Sequence, residues 1–268
     1  MSTWKCAGAQ IQGSNHKEND RPGQDRIGHV NRGAVSVLAL ADGAGYSRRA
    51  QLGAEASVAV ISNLLANSFS ELFDNPNGAE VKSRILGAIH SALTEVSHFL
   101  SCKFSALAST LLAVAVKDDK IIMCHIGDGV IGIVDNGLVK VASFPTNGEY
   151  ANTTTFTTSP DALKVMKLSK SQLGDISGIV LMSDGSAESL YDKRKKSLSP
   201  DILTLVRVVK NETLEDASII LENLLAEYVA PRTGDDCSVA VAARVNSREL
   251  VPVLTGSALT VWENDSSW

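Results

Sequence analysis

The stretch ALASTLLAVAVKDDKIIMCHIGDGVIGIVDNGLVKVAS, residues 106–143, sets the fold class. Its apolar segments are short and rich in β-branched side chains, and they are separated by Lys117-Asp118-Asp119, Gly127-Asp128-Gly129 and Asp135-Asn136-Gly137. Turn residues at such close intervals predict an antiparallel meander rather than strand-helix-strand crossovers.

Upstream of it the period changes to that of helices. Val58, Ile61, Leu64 and Leu65 share one face of a first helix, with Ser47 as its N-cap. Val81, Ile85, Ile89, Leu93, Val96 and Leu100 recur every three or four residues along a second. Before these helices, RIGHV (26–30) and AVSVLAL (34–40) flank a hairpin turn, and KCAGAQIQG (5–13) reads as a first strand followed by the polar loop SNHKENDRPGQD (14–25). Downstream come the threonine-rich FPTNGEYANTTTFTTSPD (144–161), a strand in GIVLMSDG (178–185), helices near 200–209 and 213–229, and a last strand, CSVAVAARV (237–245). The order predicts an α+β fold with helices layered on antiparallel sheets. Residues 1–246 form the domain and 247–268 a tail, with no internal repeat.

The chain has 268 residues, 44% hydrophobic and 21% charged, a length that fits one large domain or two small ones. Its 25 Lys and Arg against 30 Asp and Glu leave a net charge of −5, which disfavours nucleic acid and anionic membrane as partners. No unbroken apolar run reaches the length of a membrane helix and the start lacks a signal-peptide layout, so a cytoplasmic location is expected. Cys6, Cys102, Cys124 and Cys237 lie far apart, indicating neither a zinc site nor a disulfide framework.

Carboxylates recur at strand ends. VLALADG places Asp42 after an apolar strand and IVLMSDG does the same with Asp184. CHIGDG adds Asp128, PGQDRIG adds Asp25, and TGDDCSVAVA sets Asp235 and Asp236 just before a strand. Each alone is an ordinary turn. If the ends converge, their repulsion calls for protons or a cation, and a cluster rich in Asp favours magnesium or manganese. Two such ions can generate a hydroxide at neutral pH and neutralise a phosphoryl group under attack.

The ordered motifs QD, ADGAG, STLLAV, IGDG, MSDGSAE and DDCS resemble those of the metal-dependent protein phosphatases, the type 2C serine/threonine family, and particularly its compact bacterial branch. The resemblance runs from about residue 7 to 243. It implies an αββα sandwich of two antiparallel sheets, a centre of two manganese or magnesium ions, and hydrolysis of phosphoserine and phosphothreonine in proteins by an activated water. It also implies roles. Asp42 bridges both ions, the Gly43 carbonyl reaches one through water, and Asp184 and Asp235 complete the first. Asp25 acts through water, and Asp128 and Glu188 serve a weaker third ion. A monomeric protein phosphatase is the expectation; the alternative is a pseudophosphatase that binds phosphoproteins or a partner without turnover.

The departures from the family pattern are specific. Gln24 stands where many members carry a second acidic residue, and the phosphate-holding arginine has only His16, Arg21 and Arg26 as candidates. Ala44 replaces a histidine proposed as general acid in many relatives, and Asp236 stands where Asn is usual, so that a slip of one residue would exchange it with Asp235. Ser109-Thr110 matches a buried hydrogen-bonding pair near the metals, and the threonine-rich stretch matches a flap beside the active site. The literal G-x-G-x-x-G at 127–132 lacks the following helix of a dinucleotide fingerprint. His90, His98 and His125 read as packing or surface residues, and Asp192–Ser197 as a solvated basic run or a patch for phosphorylated segments.

Overall fold

The computed structural model describes residues 2–146 and 154–246, so the tail at 247–268 and the middle of the threonine-rich stretch lie outside the described residues. In chain order, β1 (Ser2–Ile11) is followed by α1 (Ser14–Glu18), β2 (Arg26–Arg32), β3 (Val35–Ala41), α2 (Ala50–Asp74) and α3 (Gly78–Phe99). Then come β4 (Leu111–Lys117), β5 (Lys120–Ile126), β6 (Val130–Asp135), β7 (Leu138–Ser143), α4 (Ala162–Val165), β8 (Lys167–Gln172), β9 (Ile176–Met182) and α5 (Asp184–Leu190). β10 (Tyr191–Asp192), β11 (Ser197–Leu198), α6 (Ile202–Asn211), α7 (Leu214–Leu224) and β12 (Cys237–Asn246) complete the described chain.

Two five-stranded antiparallel sheets carry the architecture, one ordered β1-β12-β9-β6-β7 and the other β2-β3-β4-β5-β8. The alternation of side chains along each strand divides the core into layers. On β3, Val37, Ala39 and Ala41 pack with Ile61, Leu65, Ile85 and Ile89 of α2 and α3. Leu38 and Leu40, between them, face the other sheet and meet Leu112, Ile131, Ile179 and Leu181. On β12, Val239, Val241 and Ala243 pack under α6 and α7, while Ala240 and Ala242 join the layer between the sheets. The layers are therefore α, β, β and α. Strands buried on both faces read in sequence as unbroken apolar runs, which is why LALA and LLAVAV show no polar alternation.

The meander is divided. β4 and β5 pair within one sheet, whereas β6 and β7 belong to the other, and Gly127-Asp128-Gly129 carries the chain across. Gly127 takes φ +111°, and a Cβ there would lie 2.6 Å from Thr110 Cγ2; a Cβ on Gly129 would lie 2.7 Å from the Met182 carbonyl oxygen. Three further differences from the sequence expectation matter for the site. A short helix, α1, occupies the expected polar loop, and α5 starts directly at Asp184. Helix α2 starts at Ala50, with the Ser47 hydroxyl donating instead to the Ala106 carbonyl at 2.6 Å.

Helix α2 is the one helix among the described residues long and apolar enough, by length and composition, to cross a bilayer. Here its apolar stripe of Ile61, Leu65, Phe69 and Leu72 is buried within the core. Its close seating depends on Gly53, where a Cβ would stand 1.9 Å from the Leu107 carbonyl oxygen. Alanine in an open helix interior is worth about 1 kcal/mol over glycine. At this position Gly53→Ala is expected to reverse that sign and destabilise by about 2 kcal/mol through overpacking, lowering Tm by about 5 °C. A thermal melt showing an unchanged or raised Tm would contradict this seating.

Candidate active site

The backbone after β3 is held from both sides. Asp42 N–H donates to Thr110 Oγ1 at 2.9 Å, Thr110 N–H donates to the Asp42 carbonyl at 2.8 Å, and Ala44 N–H donates to the Ala108 carbonyl at 2.9 Å. On the opposite side Gly43 N–H donates to the Gln24 carbonyl at 3.3 Å. A Cβ on Gly43 would lie 2.9 Å from Ala50 and 3.0 Å from Gln24 Cβ, so this turn packs too closely for a side chain. Thr110 thus fixes Asp42 as a hydrogen-bonding partner.

Three separate elements bring carboxylates to the same place. Asp42 follows β3, Asp128 sits on the crossing between the sheets, and Asp184 follows β9 as the first residue of α5. One carboxylate oxygen from each lies within 4.8 Å of the other two. They line a pocket of about 350 Å³ together with Asp235, His16 and Arg21. The Thr154 hydroxyl donates to one oxygen of Asp128, and the other is buried without a hydrogen-bond partner. His125 braces the same crossing: its Nε2 is 2.9 Å from the Gly127 carbonyl and its Nδ1 2.7 Å from the Ser143 hydroxyl. Burial, with Lys167 nearby, lowers its pKa to about 4 and keeps the ring neutral.

Asp25 lies behind the pocket, 3% exposed, with no well-aligned hydrogen bond to either carboxylate oxygen. Burial raises its pKa to about 6, reinforced by Asp236, although the hydroxyls of Ser238 and Ser183 and the neighbouring Asp42 pull in the other direction. Burial also raises Asp184 to about 7, with Asp128, Asp235 and Asp25 adding repulsion. Asp42 is raised well above the ordinary carboxylate range by burial and then by Asp25, Asp184, Asp235 and Asp128. Asp235 is raised by burial in the same way. All-oxygen donors, buried oxygens without partners and carboxyls that resist ionisation fit a hard divalent cation such as magnesium or manganese.

The remaining sequence candidates divide. Asp235 faces the pocket, whereas Asp236 does not: its Oδ1 accepts from Gly13 N–H at 2.7 Å and lies 3.0 Å from His16 Nδ1, and its Oδ2 accepts from Gln24 N–H at 2.5 Å. The Gln24 side chain turns away to donate to the Ser47 carbonyl at 2.7 Å. Arg21 lines the pocket; its Nη1 donates to the Gly45 carbonyl at 2.8 Å, and its Nε is buried with no partner. Arg26 is not among the residues lining the pocket; its Nη1 donates to the carbonyls of Gly23 and Asp25 at 2.9 and 2.7 Å. Glu188, one helical turn beyond Asp184, is exposed and lines an adjoining cleft rather than the pocket. Asn15 and Asn19 also line the pocket without having been singled out in the sequence, and Thr154 and Phe156, from the threonine-rich stretch, line it as well. Asn15 and Asn19 belong to α1 and its end, where Asn19 Nδ2 donates to the Asn15 carbonyl at 2.7 Å, so an i, i+4 pair within SNHKEN was the available signal. Residues 130–135 form a strand, so the G-x-G-x-x-G match has no dinucleotide-binding helix.

The raised carboxyls make a pH prediction for metal-free protein. Asp25 and Asp184 bind protons more tightly folded than unfolded, so their contribution to stability is complete below about pH 4 and is lost as pH rises through about 6 to 7. With chelator present, Tm is expected to fall across that window, and added manganese at pH 7.5 or so is expected to restore it. A flat Tm across the window would show that the cluster is not repulsive.

A family model described as Protein phosphatase 2C matches residues 12–226. No curated protein sequence matches the chain. Among solved structures, the S. agalactiae serine/threonine phosphatase superposes with TM-score 0.62 at 20% identity, covering 90% of this chain and 99% of that one. The catalytic domain of the serine/threonine phosphatase PstP, in complex with two manganese ions, gives 0.61 at 16% identity, covering 92% and 100%. Stp1 from Staphylococcus aureus gives 0.58 at 15%, covering 91% and 96%. At such identities the structural likeness establishes the fold, and the family match, which spans most of the chain, carries the assignment. The protein belongs to the protein phosphatase 2C family, the metal-dependent serine/threonine phosphatases.

Proposed function

We propose that the domain spanning residues 1–246 hydrolyses phosphoserine and phosphothreonine in proteins with two manganese or magnesium ions. Asp42, the Gly43 carbonyl, Asp184 and Asp235 would hold them, Asp25 would act through water, and Asp128 would serve a third, weaker site. The observation that carries this reading is the approach of Asp42, Asp128 and Asp184 oxygens to within 4.8 Å in one pocket. Such ions, when bound, supply Lewis acidity that activates water and neutralises phosphoryl charge. The chain's own residues do the rest. Thr110 holds Asp42 in place, and Arg21, with an unused donor at Nε, is suited to holding a phosphate oxygen. His16 lines the same pocket, with its Nδ1 3.0 Å from Asp236 Oδ1. With Ala44 in place of a histidine, no imidazole stands at that position to protonate a leaving group. The net charge of −5 disfavours nucleic acid and anionic membranes as partners, and the reading is completed by a monomeric, cytoplasmic enzyme acting on proteins.

Asp42→Asn is expected to lower manganese-dependent hydrolysis of a phosphothreonine peptide by about 100-fold or more. Full activity in this variant, or in excess chelator, would overturn the mechanism. No turnover by the unmodified protein despite manganese uptake would favour the pseudophosphatase alternative. Arg21→Ala is expected to lower kcat/KM about tenfold, whereas Arg26→Ala is expected to change it less than twofold, consistent with a charged hydrogen bond at the first position only.

A further inference from the structure

Two clefts follow one another from the acidic pocket through shared lining residues. The first, about 300 Å³, shares Asp128 and Asp184 with that pocket and runs past Ala187 to Tyr191 and Lys193. The second, about 680 Å³, shares Tyr191 and Lys193 with the first and extends to Arg194, Ser197 and Arg232. Asp184, Ala187 and Tyr191 recur at i, i+3 and i+7, so one side of α5 and its exit line the path from the pocket outward.

At the far end, the turn between β10 and β11 presents Lys193-Arg194-Lys195-Lys196, all exposed. The nearest carboxylates are largely engaged. Asp192 accepts from the backbone N–H groups of Arg194 and Lys195 at 2.8 and 2.9 Å and pairs with Lys195 at 3.6 Å. Asp201 accepts from the Ser199 hydroxyl at 2.7 Å, and Glu188 is exposed on the rim. Among the described residues, the side chains of Lys193, Arg194 and Lys196 form no ion pair. In a chain of net charge −5 with an acidic pocket, this run of four cations, of which Lys193 and Arg194 line the connected groove, is a local reversal of sign.

We propose that the groove docks an acidic stretch of the phosphoprotein substrate, one that carries Asp, Glu or a second phosphate a few residues from the phosphoserine or phosphothreonine. This rests on the phosphatase reading of the adjoining pocket. The seven residues of α5 span about 10 Å, which an extended substrate covers in about three residues. Substrate selection is thereby divided: the pocket takes the phosphate to be removed, and the basic turn takes the neighbouring anion.

Three phosphopeptides of equal length test this, with the flank about three residues away made acidic, phosphorylated or neutral. At about 0.05 M salt with manganese, the protein is expected to favour the two anionic peptides by about fivefold in kcat/KM, and to lose that preference near 0.5 M salt. The variant Lys193→Ala/Arg194→Ala/Lys196→Ala is expected to treat all three alike, and the stronger of the two anionic arms identifies the preferred anion. Equal kcat/KM for all three in the unmodified protein, or a preference that survives in the triple variant, would overturn the proposal. Fluorescence anisotropy of the labelled peptides with chelator-treated protein reads docking without turnover. Hydrolysis of none of the peptides, with selective binding that the triple variant loses, would retain the docking site and remove the phosphatase reading. Binding without selectivity would remove the docking site.

Discussion

Carboxylates held too close to ionise together are the constraint on which the rest of this structure turns. A pair of like unit charges 4 Å apart costs about 4 kcal/mol at the effective dielectric typical of protein sites, and Asp42 has the carboxylates of Asp128 and Asp184 within 4.8 Å and is repelled by Asp25 and Asp235 as well. A fold with no use for the charge would separate these groups or replace them. Here the three closest come from different parts of the chain: the end of a strand in one sheet, the end of a strand in the other, and the crossing between them. A divalent cation held by Asp42, Asp128 and Asp184 would relieve that repulsion and tie together segments from both sheets. Binding and stability are coupled through the same few oxygens.

Relaxation of the cluster is blocked by close backbone packing rather than by counter-charges. A Cβ on Gly185 would lie 2.2 Å from the Asp236 carbonyl oxygen, and one on Gly13 would lie 2.3 Å from the Asp235 carbonyl carbon. With Gly43 wedged between Ala50 and Gln24, glycines bring the segments carrying Asp42, Asp184 and Asp235 into contact with neighbouring chain. The carboxylates are pre-positioned because the chain around them has little room to move, and pre-positioning is what an electrostatic catalyst requires.

Much of this was legible in the sequence, for physical reasons that also explain what was not. Strands β3, β4, β9 and β12 are buried on both faces, so their apolar runs and terminal aspartates stand out, and α2 and α3 carry a clear helical period. The passage from β5 to β6 was not legible as a change of sheet, because a tight glycine turn looks the same whether the next strand pairs with the last or crosses to another layer. β8 is a polar edge strand and α1 a single polar turn, so neither buries enough apolar surface to mark the sequence. Glu188 shares an acidic motif with Asp184, but α5 carries it about 6 Å along the helix and onto another cleft. Convergence itself is tertiary: motif order implied it through the family resemblance, whereas residue spacing did not.

The adjacent aspartates 235 and 236 show how two departures from the family pattern belong to one arrangement. Asp235 faces the pocket, and Asp236, pointing the other way, accepts backbone N–H groups from Gly13 and Gln24, one on each oxygen, with His16 Nδ1 beside the first. An asparagine could present only one acceptor oxygen, and its amide nitrogen would meet an N–H group. A carboxylate at 236 can therefore clamp both ends of the segment that contains α1 and delivers His16 and Arg21 to the pocket. The same clamp fixes Gln24 by its backbone, and Ser47 takes up its side-chain amide. Position 24 is thus part of the framework that supports Asp25: Asp236 holds its backbone, and the neutral amide can donate to the Ser47 carbonyl where a carboxylate could not.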